Sequence, residues 1–241
     1  MKIALLGHGQ PRFTQAFIIL QQQLKGFDQA DFYMCLWADN WFQTPEQARP
    51  AIEPHLLPGY KLKDLIVTPQ PQYQLPPHKL EHIGEEKESI RWWYKRRWGM
   101  WLSLKMAYDL IKEQYDIVIK FRPDGRLDRE IDLRTLDMSK GLIFPNNHLA
   151  GLEAMRICDQ FVFGTQIEMK FYSDLINNFD NYIFALAPDR WEYSVHNNWS
   201  SEHILGAHML LNNKSQFKGD YQHLLRVDGT SPNDDHWYQG Q

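Results

Sequence analysis

The sequence predicts one α/β domain built on a parallel sheet, and three observations predict it. Ile3–Leu6 is a continuous apolar run that stops at Gly7-His8-Gly9-Gln10-Pro11. A run buried on both faces and ending in glycine suits a central parallel strand followed by a turn. Phe13, Phe17, Leu20 and Leu24 then recur at helical spacing up to Gly26, and a second apolar run, Asp31–Trp37, follows. Strand, helix, strand is the opening of a βαβ unit. Finally, Asp116–Arg122 is the strongest strand pattern in the chain, stopped by the turn-forming Pro123-Asp124-Gly125.

The remaining elements follow in order. Thr44–Pro77 is rich in Pro and Gln, and Pro69, Pro71, Pro76 and Pro77 remove backbone donors. Residues 44–84 therefore read as a long loop region, with a short strand at Leu65–Val67. A long helix is expected from Glu85 to Gln114, its apolar face made by Trp93, Met100, Leu104, Ala107 and Ile111. Further strands are expected at Gly141–Phe144 and Gln160–Phe163, and helices at Ile167–Phe179 and Ser201–Leu211. With no repeat and no boundary signal, residues 1–241 read as a single domain, of which 213–241 form a C-terminal extension.

Bulk properties exclude several classes. The net charge of −4 gives no global field for nucleic acid or anionic membrane. Nine Trp in 241 residues either fill a core or line a site that stacks on sugar or base rings. Cys35 and Cys158 sit in or beside apolar runs and read as buried hydrophobes, not as a disulfide framework. The first apolar run is too short for a signal-peptide core, and no later run reaches membrane-spanning length. A soluble protein of a reducing cytoplasm is expected. No GxSxG elbow, P-loop, HExxH or CxxC pattern occurs.

Four constellations carry chemistry-bearing residues. In Gly7-His8-Gly9-Gln10-Pro11-Arg12, glycines at a strand's carboxyl end let a ligand approach the backbone, and Arg12 can pair with a diphosphate. Pro11 is foreign to a GxGxxG fingerprint, so a dinucleotide site is not expected, and a turn with a solvated Arg12 is the plainer account. In Lys120-Phe121-Arg122-Pro123-Asp124, a carboxylate flanked by basic groups suits a divalent cation bridging a pyrophosphate. Lys120 and Arg122 alternate with Ile119 and Phe121, so they share one sheet face; an internal ion pair beside the turn would use the same residues.

The third constellation is Ser201-Glu202-His203 with His208. Glu202 is electrostatically favoured in the first turn of a helix, and it is equally a candidate base. His203 and His208 are off the spacing that puts two metal ligands on one helical face, so each reads as a surface or satisfied core residue. The fourth is Arg91–Trp101, whose interleaved Arg and aromatics are what single-stranded nucleic-acid binders use. Core packing accounts for part of that pattern, and acidic Glu85, Glu86 and Glu88 precede it. Recognition of an anionic nucleotide or an acceptor is the better use of Arg96, Arg97 and Trp98.

Gly9-Gln10-Pro11-Arg12-Phe13, Asp31–Trp37, Tyr115–Asp124, Asp159–Gly164 with Met169 and Tyr172-Ser173, and Ser201–Leu205 occur in that order. In these motifs the chain resembles the WavE-type lipopolysaccharide-synthesis family and related glycosyltransferase-like proteins of surface-polysaccharide clusters and phages. The resemblance runs from residue 1 to about residue 212. It implies a GT-A-like (Rossmann-like) domain with a central mixed, mostly parallel sheet flanked by helices, binding a nucleotide sugar over the carboxyl ends of the strands. It commonly implies a divalent cation, Mn²⁺ or Mg²⁺, with Asp124 as the metal ligand. Gly7, Gln10 and Arg12 would approach the nucleotide, and Asp159 and Glu202 would face donor sugar or acceptor. The usual Asp-x-Asp pair is absent, which leaves metal dependence open and Asp128 as the remaining candidate for a second ligand.

The expected activity is sugar transfer from a nucleotide-sugar donor to a saccharide or lipid-linked acceptor in surface-polysaccharide synthesis. Arg12, Lys120 and Arg122 would neutralise the departing diphosphate, and Glu202, then Asp159, would serve as base. A lipid-linked acceptor is compatible with peripheral membrane contact. Two other expectations stand beside this one: a catalytically inactive nucleotide-sugar-binding module, motivated by the missing aspartate, and a single-stranded nucleic-acid-binding protein.

Overall fold

The computed structural model describes residues 1–13, 15–73, 87–127, 129–144, 161–185, 201–212, 217–218 and 225–227. The chain opens with β1 (Lys2–Gly9), in which Ile3 to Leu6 are fully buried. Helix α1 (Gln15–Gln23) buries Ala16, Phe17 and Leu20, and leads through the two-residue β2 (Leu24–Lys25) to β3 (Gln29–Trp37). Asp31 to Trp37 are buried without a break, because both faces of this strand are covered.

The stretch read as a long loop region is different from expectation. It holds helix α2 (Pro45–Ile52), a 3-10 turn (Glu53–His55) and a nine-residue strand, β4 (Tyr60–Thr68). Pro45 takes the first helical position, where its missing N–H is no loss. The Gln47 side chain accepts from the amides of Gln43 and Thr44, holding the helix start. β4 alternates buried Tyr60 and Leu62 with exposed Lys61 and Lys63, the pattern of an edge strand with one covered face.

Helix α3 (Lys87–Asp109) stops short of Gln114. The amides of Leu110 and Ile111 fold back three residues, to Ala107 and Tyr108, and the Gln166 side chain then accepts the Tyr115 amide. This redirects the chain into β5 (Ile117–Phe121), buried throughout, followed by β6 (Gly125–Leu127), β7 (Ile131–Asp132) and β8 (Ile143–Phe144). The remainder is β9 (Val162–Gly164), α4 (Gln166–Ser173), α5 (Phe179–Ala185), α6 (Ser201–Leu211), β10 (Phe217–Lys218) and β11 (Leu225–Val227).

The main sheet has seven strands in the order β10-β8-β9-β5-β1-β3-β4, and its body is β9-β5-β1-β3-β4. β4, β3, β1 and β5 run parallel, while β9 is antiparallel to both β5 and β8. A mixed, mostly parallel sheet flanked by helices is therefore what the chain forms. Two strands come from the stretch read as a C-terminal extension: β10 pairs with β8 at the edge of the main sheet, and β11 pairs with β6 in a separate two-stranded sheet.

Each sheet face has its own core. Ile3, Leu5, Phe32, Ile119 and Phe121 meet Phe13, Phe17, Leu20, Ala48 and Ile52 on the α1 and α2 side. Ala4, Leu6, Tyr33 and Val118 meet Trp101, Leu104, Tyr172, Ile204 and Leu205 on the α3, α4 and α6 side. Cys35 lies in this second core, where burial pushes its thiol up to about 12 and keeps it protonated at neutral pH; Cys158 lies outside the described residues.

The amino ends of the strands carry a satisfied polar network. Buried Asp31 accepts from Gln29 and from Tyr115 Oη at 2.7 Å, and Tyr115 in turn meets Tyr33 Oη at 2.7 Å. Lys2 and Lys63 both pair with Glu113, and those bonds hold its carboxyl down to about 2. Among the described residues, no helix is long and apolar enough to cross a membrane.

Candidate functional site

The sheet grows in both directions from β1, with β3 and β4 on one side and β5 and β9 on the other. In doubly wound sheets the crevice outside the carboxyl ends at such a reversal is where ligands bind. Two of the segments singled out in the sequence border it: Gly7–Arg12 on β1, and Lys120–Asp124 on β5. The antiparallel β9 departs from the all-parallel dinucleotide-binding arrangement.

Gly7 pairs with Phe121 across the β1–β5 ladder. A side-chain carbon at Gly7 would come within 3.1 Å of Phe121 Cζ and 3.3 Å of Met34 Cγ, so Phe121 and Met34 would have to give way by a few tenths of an ångström to admit one. Gly9 has φ +91°, a left-handed conformation that glycine adopts without strain. Beyond it, the exposed Gln10 closes a tight turn in which its carbonyl accepts the Arg12 amide at 2.8 Å, and Arg12 is exposed.

The opposite face of the two strand ends collects the charges. Lys120 pairs with Leu6 and is only 2% exposed. Strand alternation puts His8 and Arg122 on that same face, toward α3. His8 Nδ1 lies 3.1 Å from Ser103 Oγ, and Ser103 Oγ donates to the Met100 carbonyl at 2.9 Å. A hydroxyl has one proton to give; with that proton on Met100, Nδ1–H donates to Ser103 and Nε2 is left as an acceptor. Burial first, and then the charges of Lys120 and Arg122, hold His8 well below the ordinary histidine range, so the ring is neutral at pH 7.

Arg122 grips Asp124 as a fork, Nε to Oδ1 at 2.8 Å and Nη2 to Oδ2 at 2.6 Å. The Gly125 amide donates to the Arg122 carbonyl at 3.0 Å, closing the Pro123-Asp124 turn that makes this fork possible. Both carboxylate oxygens of Asp124 are thus engaged by a guanidinium. The described residues contain no group of three or more His, Cys, Asp or Glu placed to hold a metal. Among the described residues, Asp124 is already held by Arg122, so a divalent cation there would have to share the carboxylate with that guanidinium.

Glu202 lies in α6, with its side chain outside the described residues, and Asp159 and Asp128 also lie outside them. His208, one turn and a half further along α6, is a satisfied core residue. Its Nδ1 meets Tyr182 Oη at 2.7 Å, its Nε2 meets the Phe171 carbonyl at 2.9 Å, and its ring stacks on Phe171 at 4.1 Å. In the basic-aromatic block of α3, Trp98 packs on Tyr73 at 5.4 Å and Trp101 is buried against Tyr172 at 5.2 Å. Those two rings serve the core, not a stacking platform.

Sequence reasoning missed two features. The His8–Ser103 contact has no local signal, since the partners are 95 residues apart. Trp41 is half exposed on the loop that follows the carboxyl end of β3. Asp39 Oδ1 accepts the amides of Trp41 and Phe42 at 2.8 and 3.0 Å, which fixes that loop and presents the indole. The signal available was a tryptophan beside Asp39-Asn40, turn residues after a strand.

Two histidines, buried His208 and half-buried His8, make stability depend on pH. Burial lowers His208 from the ordinary value of 6.5, and His8 is lowered in the same direction. Below about pH 6.5 the unfolded chain then binds more protons than the folded one. Their contribution is complete above that pH and is lost as pH falls, by up to about 1.4 kcal/mol per pH unit for each histidine. Urea midpoints measured from pH 7.5 to 5.5 should fall, and His208→Gln should flatten the fall; an equal slope in the variant counts against the assignment.

Comparison with protein-family models and with curated proteins finds no match for this chain. What the fold defines is a class, the mixed α/β proteins with a mostly parallel central sheet flanked by helices.

Proposed function

We propose that this chain is a GT-A-like glycosyltransferase that moves a sugar from a nucleotide-sugar donor to a saccharide or lipid-linked acceptor. The observation that carries the reading is the position of Lys120 and Arg122 at the carboxyl end of β5, beside the end of β1 that leads to Arg12, where the strand order reverses. Sugar transfer leaves negative charge on a departing diphosphate, and preplaced cations in a partly dry crevice stabilise it. Buried Lys120 acts there in the lowest dielectric. Arg122 would divide its fork between Asp124 and the phosphate oxygens. Trp41 offers a ring face for the base or the sugar. Glu202 and Asp159 remain the proposed bases for activating an acceptor hydroxyl.

Calorimetric titration with UDP, GDP and CMP derivatives, with and without Mn²⁺, tests the proposal. Saturable binding of one of them is expected, and Mn²⁺ is expected to change its affinity little, given the fork on Asp124. Failure to bind any of the three under either condition sinks it. That same fork favours a second reading, a nucleotide-sugar-binding module without turnover. Donor binding without hydrolysis or transfer across an acceptor panel would select it.

A further inference from the structure

Helix α3 leads into the amino end of β5, so its own N-terminal half lies at the carboxyl ends of the strands. It has 23 residues, about 34 Å, against eight residues and roughly 26 Å for β1, so it overhangs the carboxyl rim. Two contacts fix which face looks inward. Ser103 meets His8 near the end of β1, and a carbon placed on Gly99 would fall 2.3 Å from Gln70 Nε2, just beyond β4. Arg96 is seven residues before Ser103 and three before Gly99, on that side of the helix where it runs past the strand ends, and it is exposed. Arg97 adjoins it, and Arg12 comes from the turn after β1. Besides burial, which acts most, the charges of Arg12 and then Arg97 lower the Arg96 guanidinium. The turn after β1 and the overhanging part of α3 thus bring cations 84 positions apart in sequence to the same rim.

We propose that Arg12, Arg96 and Arg97 form an anion-binding arm that holds a phosphate-bearing ligand group at the rim of the crevice. Guanidinium forks match phosphate oxygens in pairs, which gives such an arm both affinity and orientation. The arm deepens the transfer reading and rests on it only for the source of the phosphate, the donor's diphosphate or a phosphate on the acceptor.

The test is calorimetry of the full chain with inorganic pyrophosphate in EDTA, at low and high NaCl. The variants are the double Arg96→Gln/Arg97→Gln and, as control, Arg134→Gln on an exposed turn away from the crevice. Wild type should bind pyrophosphate with salt-sensitive affinity, the double variant about tenfold or more weaker, and the control unchanged. Circular dichroism confirms that all three are folded, and an Arg96→Lys/Arg97→Lys variant should recover part of the affinity. No pyrophosphate binding by wild type, or equal binding by the double variant, overturns the arm. A parallel loss for UDP assigns the arm to the donor; UDP binding that survives while pyrophosphate binding is lost assigns it to an acceptor phosphate, and both support it. Pyrophosphate binding that depends on the arm, in a chain that binds no nucleotide, would sink the transferase reading and leave the arm standing.

Discussion

Lys120→Met is expected to weaken nucleotide-diphosphate binding by about a hundredfold, because it removes a cation that acts from a nearly dry position. Lys120 is 2% exposed and stands in register with Leu6, so methionine preserves the buried stem and most of its packing. The substitution has a second readout that needs no ligand. Lys120 and Arg122 are the charges that help hold His8 down, so removing Lys120 should raise the His8 pKa. An NMR titration of the His8 ring reads that shift directly. A raised His8 with unchanged nucleotide affinity would make Lys120 a structural neighbour of the histidine and remove it from the binding machinery.

Phe121→Ala is expected to cost about 3–5 kcal/mol of stability, the range for truncating a buried aromatic. Phe121 is fully buried, meets Phe32 edge-on at 5.5 Å and Phe17 at 6.0 Å, and lies over the bare backbone of Gly7. Its loss leaves a cavity directly under the crevice floor. Denaturant unfolding should show a lower midpoint with an unchanged slope; a loss below about 1 kcal/mol would mean that the α1 core collapses to fill the space.

How far the sequence could be read follows from what each element needs. β1, β3 and β5 were legible because strands covered on both faces must be apolar throughout, and that pattern is local. α2 and β4 were hidden by their chemistry. Pro45 looks like a breaker until it is seen at the first helical position, and Lys61 and Lys63 on β4 resemble loop charges until the strand is seen at an edge. In the site, the ion-pair reading of Asp124 was legible, because its partner Arg122 is two residues away across a Pro-Asp-Gly turn. The tight fit over Gly7 was not, since it depends on Phe121, a residue in a strand met much later in the chain. The same holds for His8 with Ser103, a contact that exists only once α3 lies across β1.

The position of β1 also sets the order in which this protein can assemble during synthesis. β1 meets β3 early, but its other neighbour, β5, arrives only when the chain has grown far beyond it; Lys2 and Asp116 are 114 residues apart. Until then one whole edge of a strand with a fully buried apolar run is unsaturated, a template for pairing with another nascent chain. Closing such distant pairings is intrinsically slow. The central seam between β1 and β5 thus stays open until about half of the chain has been made, and the protein is aggregation-prone over that period, so expression at low temperature or with a holding chaperone should raise the soluble yield.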